Sequence, residues 1–203
     1  MPLTCQQLLQ KYPQEWHDAT VHPFLEQCQA GTIKPAQFNT WLVQDYLFVL
    51  EFTRFVGRVL ASAMPEHFET LLVGLGALRE ELIWFRAKAE ERSLNLAAHQ
   101  QATCNKYCNY LEKVAQMPYA AQATALWAIE LAYNQAWQSP KPMPDPYQEF
   151  SDRWGNPQFT DYVKMLEQQA DEALAAQPEA EAEAVFRSIA RLEKDFWQMA
   201  FAG

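Results

Sequence analysis

The stretch WLVQDYLFVLEF, residues 41–52, places its large apolar side chains three, four and seven positions apart, which is the spacing of one face of an α-helix. The same spacing continues from Phe38 to Val59, and Pro35 suits the first position of such a helix. At about 100° of rotation per residue, Asp45 projects near the middle of this apolar face. We therefore expect a long core helix with a carboxylate on its buried side.

Helix-spaced apolar residues recur on both sides of this stretch, whereas the alternation typical of β-strands is hard to find. Further helices are expected before Pro13, around Gln14 to Cys28 with an end at Gly31, from Pro65 towards Glu90, near Thr103 to Val114 and around Leu126 to Trp137. In Trp154-Gly155-Asn156-Pro157, Gly155 is expected to be a C-cap glycine, with a new helix starting directly after it. The last helix is expected from Pro178 onwards. In the helix from Pro65, one buried face is expected to hold Phe68, Leu71, Leu72, Leu75, Leu78, Leu82 and Phe85. The fold class is therefore predicted to be all-α, as a multi-helix bundle in a single domain over residues 1–203.

Composition excludes several classes of function. A formal net charge of -9 without a Lys/Arg cluster argues against nucleic acid as a partner. No apolar run approaches the roughly 20 residues that a membrane span needs, and the first residues lack the features of a secretion signal, so we expect a cytoplasmic protein. The six glycines form no phosphate-binding loop motif, and four cysteines are too few for a disulfide scaffold.

Three more carboxylates interrupt apolar helix faces. Glu130 lies within about 40° of the centre of its face, Glu193 lies among apolar residues in the last helix, and Glu81 lies at the edge of a third face. An unpaired buried carboxylate costs several kcal/mol, so such residues are paired, protonated or lining a polar cavity.

Any one of these carboxylates is most simply paired with an arginine, and Arg54, Arg58 and Arg79 are available. Their placement on separate helices instead predicts a shared acidic pocket. Stacking faces and hydroxyls for that pocket are offered by Phe48, Tyr107, Tyr133 and Trp154, although each of these alone is also compatible with core packing.

Three kinds of ligand could occupy such a pocket. A di-iron centre needs Glu-x-x-His, but Trp84, Tyr133 and Phe196 stand at the positions where histidine is required. Haem has no obvious ligand, although His17 or His22 remain open. A flat, nitrogen-rich ring such as an aminopyrimidine fits best, because a carboxylate accepts two parallel N–H bonds while aromatic side chains cover the ring faces.

Three segments of the chain carry a family resemblance. The run WLVQDYLF at 41–48, the preceding His22-Pro23-Phe24 and the closing Glu193-Lys194-Asp195-Phe196-Trp197 resemble the TenA family of thiaminase II proteins. The similarity extends over nearly the whole chain. It implies a haem-oxygenase-like helical bundle, assembly into a homodimer or homotetramer, and no cofactor.

The resemblance also implies roles for individual residues. Asp45 corresponds to the family aspartate that binds the aminopyrimidine ring, and Glu193 to the catalytic glutamate. Tyr107 and Tyr133 match two pocket tyrosines, whereas Phe48 stands where cysteine-type members carry another tyrosine.

The family's nucleophilic cysteine has no counterpart here. The helix expected to hold it reads LWAIELAY at 126–133, and this places the chain near the TenA_E branch, in which a glutamate is thought to serve. Glu130 is the candidate, while ungapped matching puts Ile129 at the cysteine position. Cys104 and Cys108 lie on a different helix, so neither is assigned as the nucleophile.

The reaction implied is hydrolytic removal of the amino or formylamino group from the 5-methylene of a 4-amino-2-methylpyrimidine, a step of thiamin salvage that needs no metal. As a hypothesis, Glu193 and Glu130 divide the acid and base roles while Asp45 holds the ring. Two alternatives remain open at this point. One is a metal-dependent oxidase of the haem-oxygenase-like fold, and the other is a pyrimidine-binding or regulatory protein without turnover.

Overall fold

The computed structural model describes residues 2–138, 142–177 and 181–203, and every regular element in these ranges is helical. The all-α prediction is therefore confirmed for the part of the chain that is described. The helices are α1 (Cys5–Lys11), α2 (Pro13–Thr20), α3 (Pro23–Ala30), α4 (Pro35–Ser62), α5 (Phe68–Glu91), α6 (Ala102–Val114), α7 (Tyr119–Trp137), α8 (Gln148–Trp154), α9 (Pro157–Ala176) and α10 (Ala182–Ala202), with a single 3-10 turn (Pro65–His67) before α5.

The chain divides into two compact units. The first unit consists of the chain up to Ile33 together with Pro118–Gln198, and the second consists of Lys34–Met117 together with Met199–Gly203. The expectation of a single domain over residues 1–203 stays a prediction.

Helix α4 is the long core helix that the apolar spacing predicted, and it lies in the second unit. Pro35 occupies its first turn, and the side chain of Gln37 accepts a hydrogen bond from the Lys34 backbone N–H at 3.2 Å. Its long apolar face is buried, with Trp41 fully enclosed, and both α5 and α6 pack against α4. Helix periodicity therefore places Asp45 on the apolar face of α4, and packing around that face buries it.

Helix α7 is the centre of the first unit and is buried on all sides. Gln135 is its only exposed residue, and alanines at many positions let α9 and α2 approach closely. The Trp127 indole stacks on Trp16 of α2, with ring centroids 6.4 Å apart and planes within 3° of parallel, and on Phe186 of α10 at 5.8 Å. Glu130 is thus carried on the most enclosed helix of this unit.

The predicted helix around Gln14 to Cys28 is wrong, because the chain forms two helices there. A proline restricts the residue before it to extended backbone, and His22 before Pro23 is extended. The His22 side chain then caps α3 by accepting a hydrogen bond from the Phe24 N–H at 3.1 Å. Gly31 ends α3 in the left-handed conformation at φ +69°, as predicted.

At the junction of α8 and α9, one helix ends and the next begins as predicted, but the backbone conformation of Gly155 differs from the prediction. Gly155 does end α8, yet its φ is -88°, which any residue can adopt. Glycine is required at this position because the backbone passes close to Trp137. A Cβ atom there would lie 2.6 Å from the Trp137 carbonyl oxygen. Asn156 then caps α9 by accepting a hydrogen bond from the Phe159 N–H at 2.8 Å.

The predicted buried face of α5 is wrong in part. Leu71, Leu78 and Phe85 are buried, but Leu72 is 53% exposed and Phe68 is 40% exposed. The seven apolar residues assigned to this face span an arc of about 140°, which is wider than the contact that one neighbouring helix covers. Only the side of α5 toward α4 is therefore enclosed.

Two further predictions concern the start of the last helix and the possibility of a membrane-spanning helix. Pro178 lies outside the described residues, and α10 is described from Ala182. None of the helices in the described ranges combines the length and the apolar character needed to cross a bilayer.

Candidate active site

Asp45 is completely buried in the second unit. It lies on α4 one turn after Trp41 and one turn before Val49, both of which are also enclosed. The structure thus places this carboxylate where the apolar pattern predicted it.

Two aromatic side chains predicted to line the pocket lie together in the same unit. The ring centroids of Phe48 and Tyr107 are 4.6 Å apart, with planes tilted by 44°, and both side chains are buried. Phe48 also stacks on Phe52 at 5.6 Å. Helices α4 and α6 therefore form an aromatic wall one turn from Asp45.

Gln44 is a residue of this region that the sequence analysis did not select. Its side-chain amide donates to the carbonyl of His99 at 3.2 Å, and its amide oxygen accepts from the Gln101 N–H at 2.8 Å. Its backbone carbonyl accepts from the Cys104 thiol at 3.5 Å. These bonds fix the backbone beside Asp45 to the start of α6. The sequence offered one indication of Gln44, namely that it is an uncharged polar residue next to Asp45 on an otherwise apolar helix face.

Three of the four thiols, those of Cys5, Cys28 and Cys104, have a raised pKa. A hydrogen bond with Cys108, followed by burial and the charge of Asp45, raises the pKa of the Cys104 thiol. Burial raises the pKa of Cys28 to about 12 and also raises the pKa of Cys5. Since the thiolate is the nucleophile, the raised pKa makes Cys104 a poor nucleophile at neutral pH.

Glu130 and Glu193 are both buried in the first unit, at 9% and 1% exposure. Tyr133 follows Glu130 by less than one turn of α7, and Trp197 follows Glu193 by about one turn of α10. The rings of Tyr133 and Trp197 lie 5.6 Å apart between centroids. The two helices that carry the carboxylates therefore meet through aromatic side chains.

Trp154, which the sequence analysis selected as a pocket residue, joins the same aromatic cluster. Its ring lies edge-on to Tyr133 at 5.8 Å and packs on Trp137 at 5.6 Å. Its carbonyl accepts a hydrogen bond from the buried Asn134 side chain at 2.7 Å, which ties the end of α8 to α7.

Tyr162 on α9 is a second residue that the sequence analysis missed. Burial, followed by the negative charge of Glu130, raises its pKa well above the ordinary value. The sequence offered only a weak signal, because Tyr162 lies at the margin of the apolar face of α9. The structure thus adds a neutral hydroxyl to the surroundings of Glu130.

Glu81, Arg54 and Arg79 lie outside the two buried groups described above. Glu81 is partly exposed on α5, consistent with its predicted place at the edge of the apolar face. Arg79 forms an ion pair with Glu80 at 2.7 Å, and Arg54 forms one with Glu51. These two arginines therefore bind surface carboxylates of their own helices.

The predicted site residues thus fall into two groups. Asp45, Phe48, Glu81 and Tyr107 belong to the second unit, and Glu130, Tyr133, Trp154 and Glu193 belong to the first. Their union in a single pocket, and the catalytic roles assigned to them, stay predictions. Within residues 2–138, 142–177 and 181–203, no three His, Cys, Asp or Glu side chains gather in a way that could hold a metal ion.

The family follows from comparison with known proteins. Residues 9–202 match the model of the TENA/THI-4/PQQC family. The chain belongs to this family. The TENA/THI-4/PQQC match begins within α1, covers α2 to α10 in full and includes both groups of candidate site residues.

Two curated relatives are similar to this chain over nearly its whole length, and one of them is named for an enzyme activity. A probable bifunctional TENA-E protein of Glycine max is 34% identical over 207 residues, covering 94% of this chain and 90% of the soybean protein. The aminopyrimidine aminohydrolase of Halalkalibacterium halodurans is 26% identical over 209 residues, covering 96% of this chain and 93% of its own length. Since its relatives include an aminopyrimidine aminohydrolase, the chain is a hydrolase.

A solved structure matches the fold closely. The TenA homologue from Pyrococcus furiosus superposes with a TM-score of 0.90 at 30% identity, covering 97% of this chain and 98% of the other. The helical architecture is therefore shared by the two proteins over nearly their whole length.

Proposed function

We propose that this TENA/THI-4/PQQC family member is a thiamin-salvage hydrolase for 4-amino-2-methylpyrimidines that carry an aminomethyl or formylaminomethyl group at position 5. The observation that carries the proposal is Asp45, a fully buried carboxylate one turn from the Phe48–Tyr107 wall. The relative named as an aminopyrimidine aminohydrolase supports the same substrate class.

Asp45 is assigned the recognition of the ring. An ionised carboxylate accepts two parallel hydrogen bonds, and an aminopyrimidine offers its exocyclic amine and a protonated ring nitrogen as donors. In a buried environment such a charge-assisted pair gains strength, because water does not compete for it. Phe48 and Tyr107 supply apolar faces against which a flat ring can pack.

Glu193 and Glu130 are assigned the proton transfers. With the aminomethyl compound, one carboxylate takes a proton from water while the water oxygen bonds to the methylene carbon. The other carboxylate protonates the amine as the C–N bond breaks, so that the hydroxymethylpyrimidine and ammonia leave. With the formylamino compound, water adds to the formyl carbon instead, and formate and the aminomethylpyrimidine are released. Two coupled carboxylates can hold one proton between them, so this chemistry requires no metal.

Tyr162 is assigned a positioning role beside Glu130. A phenol is neutral at pH 7, and the raised pKa of Tyr162 disfavours its ionisation further, so it adds no second negative charge next to the carboxylate. A neutral hydroxyl near Glu130 can stabilise the ionised carboxylate through its dipole.

The decisive experiment measures ammonia and formate release by protein treated with a chelator, with the aminomethyl, formylaminomethyl and thiamin forms of the pyrimidine supplied separately. Release from at least one form is expected. Glu193→Gln is expected to lower kcat by about 10²–10⁴-fold with little change in ligand affinity. Asp195→Asn makes the same change of charge two positions further along α10 and should leave kcat nearly unchanged.

The recognition role is tested separately by ligand affinity. Asp45→Asn should weaken binding of the pyrimidine strongly, whereas Glu51→Gln on the same helix should not. Binding without any product after long incubation would instead establish a pyrimidine-binding protein without turnover. Activity lost on chelation and restored by a metal would establish a metal-dependent enzyme.

A further inference from the structure

Cys104 and Cys108 form a pair of thiols that the proposed reaction does not use. They lie four residues apart on α6, so their side chains project from the same side of the helix on successive turns. Both cysteines are free and buried, and the two thiols are hydrogen-bonded to each other. We call Cys104 and Cys108 the α6 thiol pair.

Polar contacts hold the α6 thiol pair from two sides. The Cys104 thiol donates to the Gln44 carbonyl at 3.5 Å, and the Gln100 side-chain amide donates to the Cys108 sulfur at 3.4 Å. The two sulfurs are therefore fixed beside each other before any ligand arrives. A ligand that bonds to both of them pays little for ordering the side chains.

A disulfide is not the product that this geometry favours. The Cβ atoms of a disulfide lie about 3.5–4.5 Å apart, whereas Cβ atoms four residues apart on a helix lie about 5–6 Å apart. A direct sulfur–sulfur bond would therefore distort α6. An atom inserted between the two sulfurs lengthens the bridge and avoids this distortion.

The surroundings of the pair limit the chemical class of the bridging atom. The hydrogen bond with Cys108, burial, and the negative charges of Asp45 and Glu51 all raise the pKa of Cys104, so the neutral thiol is favoured. Metal ions such as zinc bind thiolates and take four ligands. Within the described ranges, no third His, Cys, Asp or Glu side chain joins the pair in a metal-binding group. A ligand that forms a neutral product with two neutral thiols is therefore favoured.

Trivalent arsenic has this chemistry. An organic arsenic(III) oxide reacts with two thiols to form two As–S bonds, and its oxygen leaves with both thiol protons as one molecule of water. The product is neutral, and neither arsenic nor sulfur changes its oxidation state. Pyramidal arsenic bonds two sulfurs that lie near their contact distance, which is the arrangement of two hydrogen-bonded thiols.

We propose that the α6 thiol pair is a binding site for trivalent arsenicals, in which one arsenic atom bridges the sulfurs of Cys104 and Cys108. Binding replaces the thiol hydrogen bond from Cys104 to the Gln44 carbonyl. The inference concerns ligand binding and stands independently of the proposed reaction.

The arsenical reaches the pair from the side of Gln100. Cys108 is 6% exposed, and Gln100, whose amide contacts its sulfur, lies between α5 and α6 and is only partly buried. The exposed Asn105 holds the Gln100 side chain through one hydrogen bond at 3.3 Å. Movement of the Gln100 side chain therefore uncovers the Cys108 sulfur, and the second As–S bond then forms within the site.

The test uses phenylarsine oxide and intact-protein mass spectrometry. Native wild-type protein that is incubated with the reagent and then washed with excess 2-mercaptoethanol should retain one phenylarsenic group. A monothiol displaces arsenic held by one protein sulfur, but not arsenic that bridges two. The dithiol 2,3-dimercaptopropanol should remove the group, and helical circular dichroism should stay unchanged throughout.

Serine variants identify the two sulfurs. Cys104→Ser and Cys108→Ser should each lose the retained group, since each leaves arsenic with a single sulfur. Cys28→Ser is the matched control and should retain it, because Cys28 is also fully buried but is the single cysteine of α3. If Cys104→Ser does not fold, Cys108→Ala provides the same readout at the less enclosed position.

The route of entry has its own test, since Gln100→Ala should speed formation of the adduct several-fold without changing its stoichiometry. An unchanged rate would contradict entry beside Gln100. Wild-type protein that retains no phenylarsenic group, or serine variants that still retain it, would overturn the proposal.

Discussion

At the scale of single residues, His22 couples a helix cap to proton binding. Its Nδ1 accepts the hydrogen bond from the Phe24 N–H, and its Nε2 lies 3.4 Å from the Gln198 side-chain oxygen. Burial lowers the pKa of His22 below its ordinary value of 6.5, and protonation of Nδ1 would also remove the acceptor that caps α3. The folded protein therefore favours the neutral ring.

The pH dependence of stability follows from this shift. Above pH 6.5 the ring is neutral in both states, and as the pH falls below that value the unfolded chain takes up a proton that the folded protein resists. The free energy of unfolding should therefore decrease on acidification, and part of this decrease should vanish in His22→Asn. Asparagine caps helices without titrating.

Urea unfolding at a series of pH values from 7.5 to about 5 measures this contribution. His17→Asn, at an exposed position of α2, controls for the loss of a histidine as such. An identical pH dependence in wild type and His22→Asn would show that the cap does not contribute.

Gly155 and Gly57 have different surroundings, so replacement by alanine is expected to change the free energy of unfolding in opposite directions at the two positions. Gly155→Ala drives a Cβ against the Trp137 carbonyl and should lower the free energy of unfolding by about 1–3 kcal/mol. Gly57→Ala on α4 meets nothing within 4 Å and should raise it by about 0.5–1 kcal/mol. Denaturant unfolding of both variants checks the pair, and equal effects would mean that helix propensity alone governs both sites.

At the scale of elements, Asn156 joins α8 to α9. Its oxygen caps α9, and its amide donates to the carbonyls of Asp152 and Arg153 at 2.8 and 2.7 Å, so one side chain satisfies both helix ends. Trp154 lies within this junction.

Substitutions at Asn156 should separate these two functions. Asn156→Asp keeps the cap but loses the amide donors, whereas Asn156→Ala loses both. Alanine should lower stability by about 1–2 kcal/mol, and aspartate by less. Thermal or urea unfolding ranks the variants, and an aspartate variant as unstable as alanine would assign the effect to the amide bonds rather than to the cap.

Sequence patterns are sufficient to predict some of these helices and their ends, but not all of them. Pro35, Gly31 and the apolar spacing of α4 determine local structure directly, so the helix and the buried position of Asp45 could be predicted. The break at His22 was missed because the apolar spacing continues across Pro23. The exposure of Leu72 was missed because periodicity identifies an apolar side but not the neighbour that covers it.

At the scale of the whole molecule, the cysteines are distributed over both units and all four are buried as free thiols. The native protein should therefore react slowly with a thiol reagent, and all four thiols should react once guanidinium unfolds it. Iodoacetamide should likewise leave hydrolysis intact. Fast labelling of the native protein together with loss of activity would reinstate a cysteine as the nucleophile.

The candidate site was predictable to the extent that it depends on buried charge. Asp45, Glu130 and Glu193 stood out because carboxylates are rare on apolar helix faces. Gln44 and Tyr162 did not stand out, since a polar amide or a phenol at a helix margin is common, and their roles depend on neighbours distant in sequence. The carboxylate pattern identifies candidates, and only tertiary structure shows what surrounds each one.

The cluster of Trp137, Trp154 and Trp197 has an optical consequence. The ring centroid of Trp137 lies 5.6 Å from that of Trp154 and 6.2 Å from that of Trp197, and Tyr133 links the same two indoles at 5.8 and 5.6 Å. At such separations excitation energy passes between the rings before it is emitted, so the three indoles fluoresce as one. A quencher in contact with any of them would dim the whole cluster, and a change of emission on adding a pyrimidine would report binding without any turnover.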